Sequence, residues 1–297
     1  MFDFRLKVFQ TVARRLNFTK AASELYITQP AVTKHIHELE NHFKVKLFDR
    51  NNSGIRLTHA GEILLQHTEE LFSFYRNLEF EMNTFAQKHK GKLRLGASTT
   101  VAQYVLPPVL AAFHKKFPDV QIILTTNNTE HIEGALKNNE IDLGIVEGRS
   151  KNTSIKYSEF IKDEIVLVSS NNNLYAKKEV IKPAELKNIP LLLREPGSGT
   201  LEVIAHALKT SGIKMRELKI EMELASTESM KSYLLHSDCM AFLSIHSILN
   251  ELKKNEFHIV DIKGIEIGRF FYFIQLHGTS ESLSNLFIEF ARHHNFR

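Results

Sequence analysis

The stretch that decides the fold covers residues 18–43 and reads FTKAASELYITQPAVTKHIHELENHF. Two helical patterns with apolar faces lie on either side of the segment YITQ, and Pro30 follows that segment directly. Proline is tolerated in the first turn of a helix, where its missing N–H is not needed, so we expect the second helix to begin here with Thr28 as its N-cap. Two helices joined by so short a turn predict a helix-turn-helix.

Each of these helices has a face that we predict to be buried and a face that we predict to be exposed. The positions expected to face the core are Ala21, Ala22, Leu25, Val32, Ile36, Leu39 and Phe43. Phe18 is expected just outside the start of the first helix, with Thr19 as its N-cap. The second helix leaves four hydrogen-bonding side chains outward near its start: Gln29, Thr33, Lys34 and His37. Glutamine can pair with adenine and lysine with guanine or phosphate in the major groove, but taken alone the pattern favours the commoner amphipathic helical hairpin.

The next segment, residues 44–58, changes that weighting because it predicts a β-hairpin. The sequences LFDR at 47–50 and IRLT at 55–58 have strand character, and the polar tip NNSG separates them. A hairpin after two such helices is the wing of a winged helix-turn-helix. Arg50 and Arg56 would flank its tip, where they are suited to contact phosphates and fix the register of the protein on DNA.

The positive charge of the chain is concentrated at this end. Residues 1–58 contain ten Lys or Arg and five Asp or Glu, a net charge of +5, whereas all 297 residues together carry only +4. The remainder of the chain is therefore slightly acidic. A phosphate-binding surface requires such a local basic excess, so we expect double-stranded DNA as the partner of this end.

Residues 59–90 predict one long helix, from 59 to about 89, with no Gly or Pro after Gly61. Two stripes recur every seven residues along it, one formed by Leu64, Leu71, Leu78 and Phe85 and the other by Thr68, Tyr75 and Met82. Roughly three heptads of this kind are typical of a coiled coil, so we expect a homodimer that reads a paired, roughly palindromic DNA site. An amphipathic helix lying on its own domain is the alternative.

Beyond residue 90 the pattern changes to alternating strands and helices, which predicts an α/β domain with a mainly parallel sheet. Strands are expected at 93–97, 120–126, 141–146, 165–169, 191–194, 220–224, 241–244 and 270–276. Helices are expected at 101–117 with an interruption near Pro107, and at 132–138, 200–211, 228–236 and 283–293. The last strand and helix would return to the first half, so two strands would join two lobes with a cleft between them. The lobes are predicted at about 91–162 plus 269–297 and at about 163–268.

Ligands of open α/β sheets bind where strand ends meet helix starts, and two such places here carry hydroxyl groups. One is Ser98-Thr99-Thr100 after the first strand, and the other is Ser198-Gly199-Thr200 at a helix start in the second lobe. Free N–H groups at helix starts suit carboxylate, phosphate or sulfate, so we expect an anionic ligand where these places converge, although each hydroxyl could merely cap its helix. Weaker candidates are Thr129, Val146-Glu147-Gly148 and Ser226-Thr227.

The chain resembles the LysR-type transcriptional regulators. The resemblance is carried by an ordered set of segments: FTKAA at 18–22, TQPAVT at 28–33, LE at 39–40, LFDR at 47–50 and LTHAG at 57–61. It covers the full length and implies a winged helix-turn-helix at 1–58, a linker and dimerisation helix at 59–90, and a bilobed effector-binding domain like periplasmic binding proteins at 91–297. The segments ASTT at 97–100 and REPGSGT at 194–200 look most like the branch that regulates sulfur assimilation or carbon fixation.

The resemblance also implies roles for particular residues. Gln29, Pro30, Thr33 and Lys34 would approach DNA, with Lys34 where the family often has Arg, a change that gives up bidentate geometry. The inducer site would include Ser98, Thr99, Thr100, Ser198 and Thr200. Tetramers are usual in the family, and an activator would contact RNA polymerase. Relatives often have a proline-containing turn where this chain has Ser244-Ile245-His246-Ser247, so His246 either enters the cleft or lies on its rim.

Two other classes of protein compete with a regulator. An enzyme of the bilobed α/β class is disfavoured because the sequence has no HExxH, GxSxG, GxxxxGK[ST] or GxGxxG motif and no His pair at i,i+3 or i,i+4, so we expect no catalytic site, metal or cofactor. A small-molecule binding protein serving a transporter would explain the two lobes but not the basic N-terminal helices, and would normally require an export signal. The apolar runs are too short to span a bilayer, and the lone Cys239 allows no internal disulfide, so we expect a cytoplasmic protein.

Overall fold

The computed structural model describes residues 3–51, 54–85, 90–149, 151–174, 178–278 and 282–294. The chain divides into two compact units, Met1–Glu79 and Phe80–Arg297, and the boundary between them falls inside one long helix. Each unit packs its own hydrophobic core. The chain therefore consists of a smaller N-terminal unit and a larger C-terminal one.

The first unit contains three short helices, a two-stranded hairpin and the start of the long helix. Their bounds are α1 Phe4–Arg15, α2 Phe18–Leu25, α3 Gln29–Phe43, β1 Phe48–Asn51, β2 Gly54–Leu57 and α4 His59–Phe85. The helices pack around Phe9 and Val32, which are fully buried. Ala21 and Ala22 also lie in this core, where their small side chains let α2 approach its neighbours closely. The predicted winged helix-turn-helix is confirmed.

Helix α2 begins two residues earlier than predicted. Phe18 lies inside the helix and is buried, and the N-cap is Asn17, whose side chain accepts a hydrogen bond from the backbone N–H of Lys20 at 2.9 Å. Thr19 is an exposed residue of the first turn, so its prediction as the cap was wrong. Asparagine caps helices at least as well as threonine, which explains why the residue before Phe18 takes this role.

Helix α3 begins as predicted. Thr28 is its N-cap and accepts a hydrogen bond from the N–H of Ala31 at 3.4 Å, with Pro30 in the first turn. The missing N–H of proline is one that the helix start leaves unbonded in any case. The turn between α2 and α3 is therefore set by local sequence.

The buried face of α3 is shorter than predicted. Val32, Ile36 and Leu39 are buried, but Phe43 is 47% exposed. Phe43 is the last residue of the helix, and Lys44 then takes a left-handed backbone conformation with φ 56°. The chain turns away at this point, so the aromatic ring falls beyond the edge of the core.

The hairpin after α3 supplies the predicted wing. Strands β1 and β2 pair antiparallel, with Asp49 opposite Arg56 and Arg50 opposite Ile55. The tip residues 52 and 53 and the side chain of Arg50 lie outside the described residues. Arg56 is exposed on the returning strand.

Helix α4 confirms the long helix predicted from residue 59. It is described as far as Phe85, and residues 86–89 of the predicted helix lie outside the described residues. Along the predicted stripes Thr68 is buried, whereas Leu71, Leu78 and Met82 are 43%, 43% and 59% exposed. One face of the later turns thus presents apolar side chains that this chain does not cover.

The second unit alternates strands and helices. Its strands are β3 Gly91–Ser98, β4 Val120–Asn127, β5 Leu143–Glu147, β6 Ile155–Ser170, β7 Val180–Ile181, β8 Leu191–Leu193, β9 Ile220–Glu223, β10 Met240–Ser244, β11 Phe257–Ile259, β12 Asp261–Ile262 and β13 Ile267–Leu276. Its helices are α5 Leu106–Lys116, α6 Thr129–Lys137, α7 Gly199–Thr210, α8 Thr227–Leu234, α9 Ile245–Lys253 and α10 Ser282–Arg292. A π-helical turn, Val101–Val105, precedes α5, which accounts for the interruption predicted near Pro107.

One sheet of nine strands runs through this unit in the order β4-β3-β5-β13-β6-β10-β8-β9, with β11 added beside β6. Neighbours are parallel toward the two ends, where β3 pairs with β4 and β5, and β8 pairs with β9 and β10. They are antiparallel in the middle, where β6 and β13 pair over ten residue positions and connect the two lobes. The predicted two-lobed α/β architecture is confirmed, but the sheet is mixed because the two connecting strands run in opposite directions.

Each lobe has its own apolar core. In the first lobe the rings of Phe113 and Phe287 lie 5.1 Å apart and pack with Phe271 from β13. In the second lobe Leu191 from β8 packs against Phe242 from β10. Because each lobe buries its apolar side chains in its own core, polar side chains line the region where the two lobes meet.

Strand β6 and helix α9 differ from the sequence prediction, and the short strands β7, β11 and β12 were not predicted. Strand β6 is 16 residues long, whereas only residues 165–169 were expected to be a strand. Its first half is only partly buried, so it lacks the continuous apolar run by which the second half was found. Helix α9 was not among the predicted helices; Ser247 and Ile248 form its buried face.

The start of α7 requires a glycine at residue 199. A Cβ atom built on Gly199 would lie 2.0 Å from the carbonyl oxygen of Glu147. Gly199→Ala is therefore expected to lower the free energy of unfolding by about 2 kcal/mol. Gly134→Ala in α6 is the control, because a Cβ there meets nothing within 4 Å and alanine favours a helix by about 1 kcal/mol. Urea unfolding followed by circular dichroism measures both, and a Gly199→Ala protein of unchanged stability would contradict this close approach.

Candidate functional site

The outward surface of α3 is the first candidate site. Gln29, Pro30 and Lys34 are exposed there, and Thr33 is half-buried beside them. The amide of Gln29 donates from Nε2 to Thr33 Oγ1 at 3.0 Å, which orients the glutamine side chain. The Nζ of Lys34 lies 3.9 Å from Glu38, a surface ion pair of little energy. Four of the side chains predicted to contact DNA therefore share one surface at the start of α3.

The other predicted DNA-binding residues lie on neighbouring elements. His37 is exposed on α3, with its Nδ1 3.3 Å from a carboxylate oxygen of Glu40. Thr19 is exposed on α2 and Arg56 on β2. Arg50 belongs to β1, and its side chain lies outside the described residues. The hydrogen-bonding groups on α3 suit base edges, and the cationic side chains on the neighbouring elements suit phosphates.

The carboxylate of Glu40 joins α3 to the wing. Glu40 is 6% exposed, accepts a hydrogen bond from Lys46 Nζ at 2.8 Å and another from the backbone N–H of Leu47 at 3.0 Å. Burial by itself would raise the pKa of Glu40, but the bonds from Lys46 and Leu47 outweigh it and hold this pKa below its ordinary value of 4.5. Sequence reasoning assigned Glu40 no role, and the only signal was its place in the Leu39-Glu40 segment of the family pattern.

The second candidate site lies between the two lobes of the second unit. Ser98 ends β3 in the first lobe and Thr200 lies in the first turn of α7 in the second lobe, and they are 1% and 3% exposed. Both hydroxyls donate to the carboxylate of Glu147, Ser98 to Oε2 and Thr200 to Oε1, the latter at 3.1 Å. Hydroxyls predicted in different lobes therefore converge on a carboxylate, and that carboxylate belongs to the chain itself.

A buried ion pair lies directly beside this carboxylate. Arg269 Nη1 donates to Thr200 Oγ1 at 2.8 Å and lies 3.7 Å from Glu147 Oε1. Arg269 Nε donates to Asp163 Oδ2 at 2.6 Å, and the two residues are opposite each other on β13 and β6. Sequence reasoning missed Asp163 and Arg269 because each is an ordinary charged residue of a strand until the strands are paired.

The start of α9 closes one side of this cluster. Ser244 Oγ donates to Asp163 Oδ1 at 2.7 Å. The Nε2 atom of His246 lies 4.0 Å from the same oxygen, and the His246 side chain is 26% exposed. Of the two alternatives for His246, the structure therefore places it at the edge of the buried cluster.

Arg194 is a second buried guanidinium between the lobes. Its side chain is 3% exposed, and its Nε donates to Glu195 at 2.8 Å. Its Nη2 reaches Thr99 Oγ1 in the first lobe and its Nη1 reaches Thr227 Oγ1 at the start of α8, each at 3.5 Å. The sequence prediction includes the segment 194–200 but does not name Arg194 as an effector contact.

Three further predicted residues have different surroundings. Thr100 is buried at the start of the π-helical turn, and its side chain caps no backbone N–H. Thr129 Oγ1 donates to the backbone carbonyl of Glu147 at 2.7 Å, so its hydroxyl bridges two segments of the first lobe. Val146 packs in an apolar cluster with Ile132, because successive strand residues face opposite sides and only Glu147 faces the hydroxyls. The choice of Val146 as an effector contact does not fit this geometry.

Two buried donors, one at the start of α7 and one on β13, are unsatisfied. Within the described part of the chain, Ser198 Oγ and Arg269 Nη2 have no hydrogen-bond partner. Ser198 is the N-cap of α7, yet its side chain makes no capping bond. A buried polar group without a partner costs free energy, so these two donors are suited to receive oxygen atoms of a ligand.

The lobes are in contact around these side chains. Tyr104 in the first lobe donates to the carboxylate of Glu228 at the start of α8, and Lys231 Nζ lies 5.1 Å from the centre of the Tyr104 ring. Burial and the Glu228 carboxylate raise the pKa of Tyr104, so its hydroxyl remains a donor. Elsewhere between the lobes the N–H of Glu130 donates to the carbonyl of Gly197 at 3.2 Å. The structure thus shows the lobes closed on each other.

A cavity of about 410 Å³ borders Thr129 and Ser198. Its lining includes the three acidic side chains Glu130, Glu133 and Glu202. Burial raises the pKa of Glu133, with the nearby carboxylates adding to this effect. The negative charge of this cavity does not suit an anion, so the donors around Ser98, Thr200 and Arg269 form the better anion site.

The described ranges contain no group of three or more His, Cys, Asp or Glu side chains placed to hold a metal ion. Within those same ranges, no helix has the length and apolar character needed to cross a membrane. The chemistry visible at the two candidate sites is therefore hydrogen bonding and ion pairing.

Two family models match the chain. The bacterial regulatory helix-turn-helix protein model of the lysR family covers residues 4–62. The LysR substrate binding domain model covers residues 86–295. The first range contains the candidate DNA-binding surface and the second contains both lobes.

Individual relatives are similar over most of the chain. The chain is 29% identical to the HTH-type transcriptional regulator CysL of Bacillus subtilis, over 89% of this chain and 87% of that protein. It is 30% identical to a probable RuBisCO transcriptional regulator of Phaeodactylum tricornutum, over 96% and 93% of the two chains. Its structure is similar to the regulatory domain of CcmR from Synechocystis PCC6803 in complex with 2-PG, with a TM-score of 0.62, 27% identity, and 68% of this chain and 95% of that chain covered.

These matches and the two sites define a DNA-binding transcriptional regulator with an effector-binding domain. The chain belongs to the LysR family. The predicted family is confirmed, and the CysL and RuBisCO regulators support the predicted branch. The prediction of a regulator rather than an enzyme is also confirmed.

Removing the charge of Glu40 is expected to destabilise the DNA-binding unit. Glu40→Gln breaks the ion pair with Lys46 but keeps an acceptor for Leu47, so we expect a loss of about 1 kcal/mol at neutral pH. Folding lowers the pKa of Glu40 below its ordinary value of 4.5. The Glu40 charge therefore stabilises the folded unit fully above pH 4.5, and this stabilisation is lost as the pH falls through the lower folded-state pKa. Thermal unfolding midpoints of wild type and variant should therefore converge in acid.

The control for this measurement is Glu38→Gln, which removes a carboxylate from a surface pair of the same helix. We expect it to change the stability by no more than about 0.5 kcal/mol. A Glu40→Gln effect of equal size at neutral and acid pH would show that the charge of Glu40 is not what stabilises the unit.

Proposed function

We propose that this regulator responds to a small anionic metabolite that binds between the lobes of the second unit. The observation that carries the proposal is the set of donors there: Ser98, Thr200 and Arg269 surround a carboxylate, and Ser198 Oγ and Arg269 Nη2 have no partner among the described residues. Charge-assisted donors of this kind suit carboxylate, phosphate or sulfate. The relative CcmR in complex with 2-PG supports a small-molecule effector of this kind.

The proposed effector contacts combine the sequence prediction with the geometry. From the sequence prediction we retain Ser98, Thr99, Thr100, Thr129, Ser198 and Thr200. From the structure we add Arg194 and Arg269, the two buried guanidinium groups between the lobes. No resident metal or organic cofactor is part of the proposal.

We propose that α3 lies in the major groove of DNA and reads base edges with its first turns. Gln29, Thr33 and Lys34 support this role because they share an exposed surface at the helix start. In this proposal Arg56, exposed on the wing, contacts phosphate. The net charge of +5 over residues 1–58 favours binding to a polyanion.

We propose that the chain works as a homodimer through α4. The exposed apolar side chains of Leu71, Leu78 and Met82 support this, since they recur at coiled-coil spacing. The family resemblance extends the proposal to a homotetramer, to contact with RNA polymerase if the protein is an activator, and to the cytoplasm. The domain limits near residues 58 and 90 and the lobe limits near 162 and 268 belong to the same proposal.

An effector can change DNA binding only if it binds one arrangement of the protein better than another. The bonds that join the lobes around the site are those of Glu147 with Thr200 and of Arg194 with Thr99. A ligand that takes over these donors changes the free energy of the closed arrangement. We propose that α4, which continues from one unit into the other, transmits this change to the DNA-binding surface.

The experiment that tests this function is selection of DNA from random duplexes by the purified protein at moderate salt, with and without a panel of small anionic metabolites. Enrichment of a paired, roughly symmetric site is the result expected for a dimer that reads DNA. A shift caused by one metabolite would identify the effector. If no sequence were enriched under any condition, the proposed role of α3 would be wrong.

Gln29→Ala is expected to weaken binding to the selected site by about tenfold and binding to random DNA much less, because a base contact is worth about 1–3 kcal/mol of discrimination. Fluorescence anisotropy on both duplexes measures the two affinities. Asn41→Ala, at an exposed position farther along α3, is the control and should leave both unchanged. An equal loss on both duplexes would rule out base reading by Gln29.

Thr100→Val is expected to weaken binding of the selected metabolite by about tenfold, since it removes one hydroxyl while keeping the shape of the side chain. DNA binding without metabolite should stay unchanged. Thr126→Val, at an exposed position of β4, is the matched control. Calorimetry measures the affinity of each protein for the metabolite. An unchanged affinity in Thr100→Val would show that Thr100 does not contact the effector.

A further inference from the structure

The carboxylate of Glu147 occupies the donors that the proposed effector would need. Its two oxygens accept the hydroxyls of Ser98 and Thr200, and the Thr200 hydroxyl in turn accepts from Arg269 Nη1 at 2.8 Å. Glu147 is itself only 2% exposed. In this arrangement no ligand oxygen can reach the donors that Glu147 holds.

The charges around this position also exclude a second anion. Glu147 and Asp163 place two carboxylates beside the one guanidinium of Arg269, at 3.7 Å and 2.6 Å from its nearest nitrogens. All three side chains are at most 2% exposed. Repulsion between like charges is strong where water is excluded, so an added anion cannot bind while Glu147 remains in place.

We propose that Glu147 is an internal competitor of the effector, and that the effector carries a tetrahedral oxyanion, a phosphoryl or sulfate group. This inference rests on the anionic effector site proposed above. A carboxylate ligand that displaced Glu147 would only replace one carboxylate by another. A tetrahedral oxyanion brings a third oxygen, and Ser198 Oγ and Arg269 Nη2 are donors that have no partner among the described residues.

The competition also links ligand binding to the contact between the lobes. Glu147 and Ser98 belong to the first lobe, whereas Thr200 opens α7 in the second. In the closed arrangement, Glu147 makes the bond to Thr200 itself. An anion that displaces Glu147 replaces this bond by contacts through the ligand, so the two arrangements have unequal affinity for it.

The test compares the full-length wild type with Glu147→Gln, using inorganic phosphate, sulfate and acetate as probes in isothermal titration calorimetry. Glutamine keeps the size of the side chain and removes its charge. We expect Glu147→Gln to bind phosphate or sulfate at least about tenfold more tightly than wild type, and acetate with a smaller gain. Whichever of phosphate and sulfate gains more identifies the source of the oxyanion.

Glu202→Gln, in the first turns of α7, is the matched control because it too replaces a carboxylate by an amide. The Glu202 carboxylate accepts a hydrogen bond from the backbone N–H of Arg149 and none from Ser98 or Thr200. Its affinity for either oxyanion should rise less than that of Glu147→Gln, because Glu202 holds none of the hydroxyl donors that the anion would take. The proposal would be overturned if Glu147→Gln folds but its affinity for phosphate and sulfate is unchanged or weaker. A gain no larger than that of Glu202→Gln would overturn it as well. A gain for acetate as large as for the tetrahedral anions would overturn the choice of oxyanion.

If Glu147→Gln does not fold, Glu147→Ala, which also removes the charge, takes its place. The shorter side chain cannot hold Ser98 and Thr200 together, so phosphate or sulfate should bind several-fold more tightly, and no gain would overturn the proposal. Failure of this inference is distinguishable from failure of the effector site. Suppose that an organic anion binds more weakly to Thr100→Val, but phosphate and sulfate bind no more tightly to Glu147→Gln. The effector site would then stand, and only the proposal that Glu147 competes with the effector would be wrong.

Discussion

The ion pair between Arg269 and Asp163 links the two strands on which the effector-binding domain is built. Arg269 Nε and Asp163 Oδ2 are 2.6 Å apart, on β13 and β6, and both side chains are almost completely buried. Other atoms of the pair bind the starts of two helices, since Arg269 donates to Thr200 of α7 and Asp163 accepts from Ser244, the N-cap of α9. Removing one partner of a buried pair costs about 3–5 kcal/mol. The helix starts that face the cleft therefore depend on a charge pair that no local sequence pattern reveals.

The DNA-binding unit uses a buried carboxylate in a similar way. Glu40 lies on the inner face of the helix that carries Gln29 and Lys34, and its oxygens bind Lys46 and Leu47 at the start of the wing. In each unit, a carboxylate that is satisfied by charged, hydroxyl or backbone donors fixes an element that carries proposed ligand contacts. Such bonds are directional, whereas apolar packing alone tolerates small shifts. Both proposed recognition surfaces thus rest on a buried acid that does not itself need to touch the ligand.

Sequence reasoning worked best where the determinants are local. The turn between α2 and α3 follows from Thr28 and Pro30, and the buried face of α3 follows from helical spacing as far as Leu39. It failed where a neighbour competes for the same role, as Asn17 does with Thr19, or where an element ends, as at Phe43. The first half of β6 and helix α9 were missed because their partly buried faces lack a strong periodic signal, and their place is set by pairing with distant strands.

The sequence by itself determined the family, the order of the elements and the presence of hydroxyl-rich helix starts in both lobes. Each of these depends on residues within a few positions of one another. Only the tertiary structure decided which residues meet in the cleft. Asp163 and Arg269 are 106 residues apart, Ser98 and Glu147 are 49 apart, and Glu147 rather than Val146 faces the hydroxyls because of the side of β5 on which it lies. Strand pairing and side-chain alternation across a sheet create these contacts, and neither is encoded in any short stretch of the chain.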